Sequence, residues 1–276
     1  MLFKQIAGLG TRQWSSGFDI WNANEVSAVA WMSNPDGSIG VPFTVPYTED
    51  PFFKQIYEAR QSGDDFFVME SSGKELEETY QYLFNLPQAK KHFDGVESLG
   101  FQVPKFQITH CAFFSQGYLM FITYEAAPDM WDIFKRFAKV FEQTYTRFLD
   151  LQKAEAQARE AQIEAALERV RSRSMGMQKS EELREIIQVI YEQFIQLGIH
   201  IASAGFATDY MESDDFNFWF ADSYSTFPNK VHIPYLDHPQ FNRLKEAKEK
   251  GLDFYASNLT FEEKNKFFDH VVKHFS

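Results

Sequence analysis

Short alternating apolar runs and longer stretches of three-four apolar spacing take turns along this chain, a pattern that predicts strands and helices packed as an α+β fold. Residues 25–32 form a β-type run that meets Asn34-Pro35-Asp36-Gly37, a hairpin signal, and residues 38–45 return as its partner. Asp50-Pro51 opens a helix with proline at the first helical position, and Gly63 ends it in the C-cap role. Residues 65–70 read as a short strand. Ser72-Gly73-Lys74-Glu75 is a capping box whose helix runs to about Leu86, where Pro87 stops it. A looser stretch to Pro104 leads into a second hairpin, residues 105–114 and 118–124 around Ser115-Gln116-Gly117.

Pro128 opens a segment free of Pro and Gly until Gly176 and rich in Ala, Glu, Gln, Arg and Leu, which predicts one continuous helix. Its first half carries Phe134, Phe137, Phe141, Phe148 and Leu151 at three-four spacing, suited to packing on the first domain or on a twin helix. Ala154, Ala158, Ala161 and Ala165 then give a small-residue seam, after which Ile163, Leu167 and Val170 shift the larger groups to another face. Such a phase change suits a coiled coil that adopts two registers, and equally a solvated spacer helix.

Beyond it, residues 181–197 carry the stripe Leu183, Ile186, Ile187, Ile190, Phe194 and Leu197, with Ser180 as cap and Gly198 as stop. Strands are predicted at 199–211, 216–224 and 253–257, and helices at 240–250 and 261–275.

The chain matches itself without gaps at an offset of 188 residues, so that Pro46-Tyr47 falls on Pro234-Tyr235. Pro51, Phe53, Ala59 and Gly63 fall on Pro239, Phe241, Ala247 and Gly251, and Asp65-Phe66 on Asp253-Phe254. A second capping box, Thr260-Phe261-Glu262-Glu263, lies at the same offset from the first. The repeat predicts a domain at 1–127, a connecting helix at 128–179 and a related domain at 180–276. The second domain lacks a counterpart of the 105–124 hairpin and the closing helix, so it is expected to be C-terminally incomplete, with an unpaired sheet edge.

Composition narrows the function. A formal charge of −12 argues against nucleic acid and anionic membranes as partners, since both require a basic face. Hydrophobic residues at 44% support packed cores, and 30 Phe favour thick cores or roomy apolar pockets. One cysteine, Cys111, allows no intrachain disulfide, and the N-terminus has no secretion-signal pattern, so a reducing cytoplasm is expected. No apolar run approaches the roughly 18–20 residues that span a bilayer.

The run 166–183, Ala-Leu-Glu-Arg-Val-Arg-Ser-Arg-Ser-Met-Gly-Met-Gln-Lys-Ser-Glu-Glu-Leu, resembles the linker that precedes GAF-like domains in multi-domain bacterial sensor proteins, often histidine kinases of two-component systems. The α+β layout of both halves is similar to the GAF fold. That resemblance implies sheets flanked by helices, a cavity that can enclose a small ligand, a homodimer through parallel helices and an output domain downstream of Ser276 in a parent protein. Nothing matches the cysteine used for bilin attachment or the cyclic-nucleotide motif, so cofactor and ligand identity stay open.

Alternate strand residues facing the helices make Trp31, Phe43, Tyr47 and Phe113 candidate ligand-binding residues, with Trp14 and Trp21 beside them; core packing is the plainer role for each. No catalytic set and no metal site is predicted. His270 and His274 share a helix face but lack a clear third ligand, His110-Cys111 point to opposite faces of a strand, and Glu212, Asp214 and Asp215 lack calcium-loop spacing. No nucleotide loop and no phosphoacceptor histidine between Pro128 and Gly198 is present. The expectation is a non-catalytic sensory module that binds a small ligand or partner. The alternatives are an enzyme with Glu70 or Asp65 as acid or base in the aromatic pocket, and a ligand-free dimerisation scaffold.

Overall fold

The computed structural model of the protein describes residues 2–23, 26–179, 182–209, 211–222 and 229–272. The chain is α+β, and it divides into two compact units, Met1–Gln152 and Lys153–Ser276, so that the division falls inside the long helix.

The first unit runs α1 (Leu2–Gly8), β1 (Gln13–Trp21), β2 (Ser27–Met32), β3 (Phe43–Pro46), α2 (Pro51–Gln61), β4 (Phe66–Ser72), α3 (Gly73–Asn85), α4 (Pro87–Ser98), β5 (Phe106–Phe114) and β6 (Gly117–Thr123). A 3₁₀ turn at Pro128–Met130 then leads into α5 (Trp131–Met175), an uninterrupted helix of 45 residues. The strands form one antiparallel sheet in the order β3-β2-β1-β6-β5-β4.

Among the elements that the sequence pattern does not predict are α1, β1 and α4, with a strand at Asn229–Ile233 beside them. β1 is a central strand, yet Gln13, Ser15, Ser16 and Asp19 are buried in it, and these polar residues erase the alternation that marks a strand. α4 occupies the stretch expected to be loose. Pro87 both ends α3 and starts α4, whose buried Ala89, His92, Phe93 and Val96 keep helical spacing. The hairpin partner of β2 is shorter than predicted, four residues at Phe43–Pro46, with an isolated bridge between Ser33 and Ile39 before it.

The sheet is covered on both faces. Against α2, α3 and α4 lies a core that includes Trp14, Phe43, Tyr47, Phe53, Leu76, Phe93, Cys111, Tyr118 and Met120. Against α1 and the start of α5 lies a second core of Ile6, Ala112, Phe114, Leu119, Phe121, Phe134 and Ala138. Alternation sorts β6 between them, Tyr118, Met120 and Ile122 on one side and Leu119 and Phe121 on the other.

The second unit contains the C-terminal part of α5, then α6 (Leu183–Gln196), β7 (Ser203–Thr208), β8 (Phe216–Asp222), β9 (Asn229–Ile233), α7 (Pro239–Glu249) and α8 (Phe261–Val272). Its sheet has three antiparallel strands in sequence order. Ser180, the end of the predicted 216–224 strand and the last residues of the predicted 261–275 helix lie outside the described residues.

α2 and α7 have the same bounds at the offset of the repeat, Pro51–Gln61 and Pro239–Glu249, and their caps are equivalent. Asp50 Oδ1 accepts from the amides of Phe52 and Phe53 at 3.0 and 3.4 Å, and His238 Nδ1 accepts from that of Gln240 at 3.1 Å. Both helices end at a glycine of positive φ, Gly63 at 82° and Gly251 at 62°. The predicted strand at 253–257 does not form: residues 254–260 have no regular structure, and Phe254 is 83% exposed.

Candidate functional site

Between the sheet and the helices α2–α4 of the first unit lies a cavity of about 50 Å³, walled mainly by Trp14, Phe43, Phe52, Phe53, Tyr80 and Phe93. Rings meet at angles in its wall: Trp14 lies edge-on to Tyr80 at 6.1 Å, and Tyr80 edge-on to Phe93 at 5.7 Å. Tyr80 and Phe93 also line an outer groove of about 630 Å³ between α3, α4 and the segment 101–105. These two rings are therefore a wall shared by the cavity and the groove.

Five polar side chains edge the cavity: Ser15, Asp19, Thr79, His92 and Gln107. Three of them are engaged elsewhere. Ser15 donates to the Ser33 carbonyl at 2.8 Å, Thr79 donates to the Asp50 carboxylate, and Gln107 accepts from the Tyr80 hydroxyl at 2.7 Å. Asp19 and His92 are 1% and 2% exposed, and Asp19 Oδ2 and His92 Nδ1 meet no protein partner among the described residues.

Burial controls the charge of both groups. It raises the Asp19 carboxyl to about 8 despite a hydrogen bond from Tyr118, so the side chain is protonated at neutral pH. It also lowers the His92 imidazole, against a hydrogen bond to the Val41 backbone. Gly40 lies so close to that ring that a Cβ there would collide with it, which ties the 33–42 loop to α4. Beside Asp19 runs a buried hydroxyl pair, Tyr47 and Tyr118, with oxygens 2.7 Å apart. Burial and the neighbouring Asp19 hold the phenol of Tyr118 and the thiol of Cys111 well above their usual ranges. A neutral carboxyl has one proton to donate, and a neutral imidazole has one donor and one acceptor nitrogen.

Of Trp31, Phe43, Tyr47 and Phe113, Phe43 alone lines the cavity, 5.2 Å from His92 and 6.2 Å from Phe93. Tyr47 is fully buried in the same core but reaches Tyr118 instead. Phe113 packs on Tyr118 at 5.6 Å, and Trp31 stacks on Phe18 at 5.2 Å, on the sheet face that carries α5. Trp14 is a wall of the cavity, and Trp21 lies under the Arg60 guanidinium. No protein-family model matches the chain, and no curated protein matches its sequence.

Glu70 and Asp65 are both exposed on or beside the edge strand β4, and neither lines the cavity. His110 and Cys111 face opposite sides of β5, the first against Phe134 of α5 and the second in the core under α2–α4. Among the described residues no three His, Cys, Asp or Glu converge as a metal site; His270 bonds the Pro234 carbonyl, and His274 lies outside those residues. Asp214 pairs with Lys245 at 2.6 Å, and Asp215 accepts from the Tyr235 amide, which makes that acidic stretch a braced turn.

The side of the sheet away from the cavity is where α5 attaches. On β1, Asp19 lines the cavity and its neighbour Phe18 packs on Phe141 of α5 at 4.8 Å. On β6, Met120 and Ile122 line the cavity while Phe121 between them stacks on Phe134 of α5 at 4.1 Å. Glu142 also accepts from the Ser115 amide at 2.9 Å and from its hydroxyl, pinning the β5–β6 turn to the helix. No helix of the described residues is long and apolar enough to cross a membrane.

Proposed function

We propose that the chain is a non-catalytic sensory module of bacterial signal transduction, GAF-like in both halves, in which occupancy of the first unit's cavity is relayed to α5. The observation that carries this reading is the alternation on β1 and β6. Adjacent residues of the same two strands line the cavity on one face and hold α5 on the other, so a strand cannot move at one without moving at the other. The linker-like run at 166–183 supports the same reading, as does the agreement of α2 with α7. Phe148 and Leu151 stand 49% and 58% exposed on α5, which favours a homodimer through this helix; the linker-like run and the single cysteine extend the reading to an output domain in a parent protein and a cytoplasmic setting.

The relay is tested without any ligand. Ala30 is buried and lines the cavity, so Ala30→Val fills part of it. Hydrogen exchange across α5 from Phe134 to Tyr145 is expected to change in the folded variant; unchanged protection there would remove the relay. An acid–base enzyme is the second reading, favoured by Asp19 and His92 sharing one cavity. For that reading, turnover of a small carbonyl or ester substrate must be abolished by His92→Phe.

A further inference from the structure

We propose that the inner cavity of the first unit takes an uncharged, compact and largely apolar molecule whose hydroxyl or amide group sits between Asp19 and His92, admitted when the shared wall of Tyr80 and Phe93 swings toward the outer groove. This inference deepens the sensory reading by naming its ligand class, and the site stands even if the relay does not.

Polarity comes first. Apart from its polar edge the cavity is walled by rings and aliphatic side chains, so an ion entering it would lose its hydration without a counter-charge. No Lys or Arg lines the cavity, and the Arg60 guanidinium lies over Trp21. Asp19 itself is held in the uncharged state by the same burial. Anions and cations are therefore both rejected.

Hydrogen-bonding capacity follows. Ser15, Thr79 and Gln107 are already engaged, which leaves one carboxyl oxygen and one imidazole nitrogen, each on a side chain at least nine-tenths buried. His92 is neutral, so its ring carries one donor and one acceptor nitrogen, while protonated Asp19 is a donor. A hydroxyl or amide both donates and accepts, and it is the group that suits this pair.

Size sets the way in. A cavity of about 50 Å³ is well below the ~150 Å³ that holds a benzene ring. A ring-sized ligand needs the space that Tyr80 vacates on turning into the groove of about 630 Å³, and the Tyr80 hydroxyl is held by its hydrogen bond to Gln107. Gln107→Leu removes that latch and is expected to speed association.

The probes are phenol, benzoate and toluene, titrated against the full chain by ligand-observed NMR and thermal shift. Phenol is expected to bind, toluene to bind about ten-fold more weakly and benzoate not at all, because each unmatched polar group or buried charge is penalised. Asp19→Leu and His92→Phe, each checked for native circular dichroism, are expected to weaken phenol by about ten-fold. Asp19→Asn, uncharged at every pH, should keep phenol binding above the Asp19 pKa of about 8, where the wild type loses it. Benzoate binding as well as phenol would overturn the proposal. So would folded Asp19→Leu and His92→Phe variants that bind phenol like the wild type, or the absence of any probe binding, which would leave a cavity that takes water alone. Phenol binding with no change at α5 retains the site and removes the relay.

Discussion

The segments 46–85 and 234–272 use the same local signals, yet only one of them builds a strand between its two helices. In both, a capped helix of identical bounds is followed by a left-handed glycine, and in both the cap reaches across to the second helix. Asp50 bonds Thr79 of α3, and His238 Nε2 bonds the Glu263 carbonyl of α8 at 2.8 Å. After Gly63 the chain enters β4, which pairs with β5 from Phe66 to Ser72. After Gly251 the corresponding residues pair with no strand among those described, and Phe254 stays exposed. Helices and caps are local properties, whereas a strand exists only where a neighbour supplies its ladder.

The comparison extends to chemistry, and pH tests it most strongly. Buried titratable groups with displaced pKa values lie in the first unit; in the second, the displaced groups described are exposed ones held by ion pairs and caps. Asp19 rises from 3.8 to about 8, so its folded state keeps a proton that the unfolded chain has lost. Its stabilisation is full below about pH 4 and is lost as pH rises through 8, on the order of 5 kcal/mol. His110 falls from 6.5 to about 4 through burial, so the unfolded chain takes up its proton first and stability drops as pH falls from 6.5 to 4. Between pH 4 and 6.5 the two slopes oppose and cancel, so denaturant unfolding followed through the tryptophans of the first unit should show stability falling from about pH 6.5 to 8. Asp19→Asn should flatten that alkaline fall and uncover the His110 limb below 6.5; an unaltered alkaline fall in that variant would break the assignment.

Core size gives the next test. Phe53 and Phe241 are equivalent at the offset, and each should lose about 3–5 kcal/mol on truncation to Ala. Phe53 belongs to a core of twenty buried residues, Phe241 to one whose other buried members are Val231 and Ile233. Phe241→Ala should therefore unfold the second unit outright, and Phe53→Ala should leave the first folded with a lowered midpoint. Hydrogen exchange resolved by segment distinguishes them, and equal loss of protection in both would erase the difference.

The smallest effect concerns the two capping boxes. Thr260 and Glu263 bond each other's amides reciprocally at 3.2 and 2.8 Å, whereas Ser72 makes no side-chain cap bond. Thr260→Ala should cost about 1 kcal/mol of α8 stability and Ser72→Ala a few tenths at most. Equal costs would mean that both boxes close in solution.

What was legible in the sequence follows the same division. Proline, glycine and cap residues marked α2, α3, α7 and α8, and the unbroken helix-former run marked α5, because those signals act within a few residues. α1, β1, α4 and β9 were passed over, and with β1 and α4 went Asp19 and His92. A carboxylate between Phe18 and Ile20 in an aromatic run is a visible oddity, but only once the run is known to be a strand buried on both faces. Trp31 and Phe113 were grouped with Phe43 as rings on strands, and assigning each to a sheet face requires the register, which is a long-range property.

That register hangs on the irregularity at the start of β1, where Gln13 pairs with Thr123 and Ser15 with Ile122, leaving Trp14 as the extra residue. The doubled position lets Trp14 and Ser15 both face the cavity, and it sets the phase of every residue after them. Without Trp14 the upstream chain would be drawn one step along β6 or the remainder would slide to compensate. In the second case the sheet would turn inside out locally, offering Phe18 to the cavity and a carboxyl group to the long helix. A single surplus residue thus acts as a phase key for the whole wall.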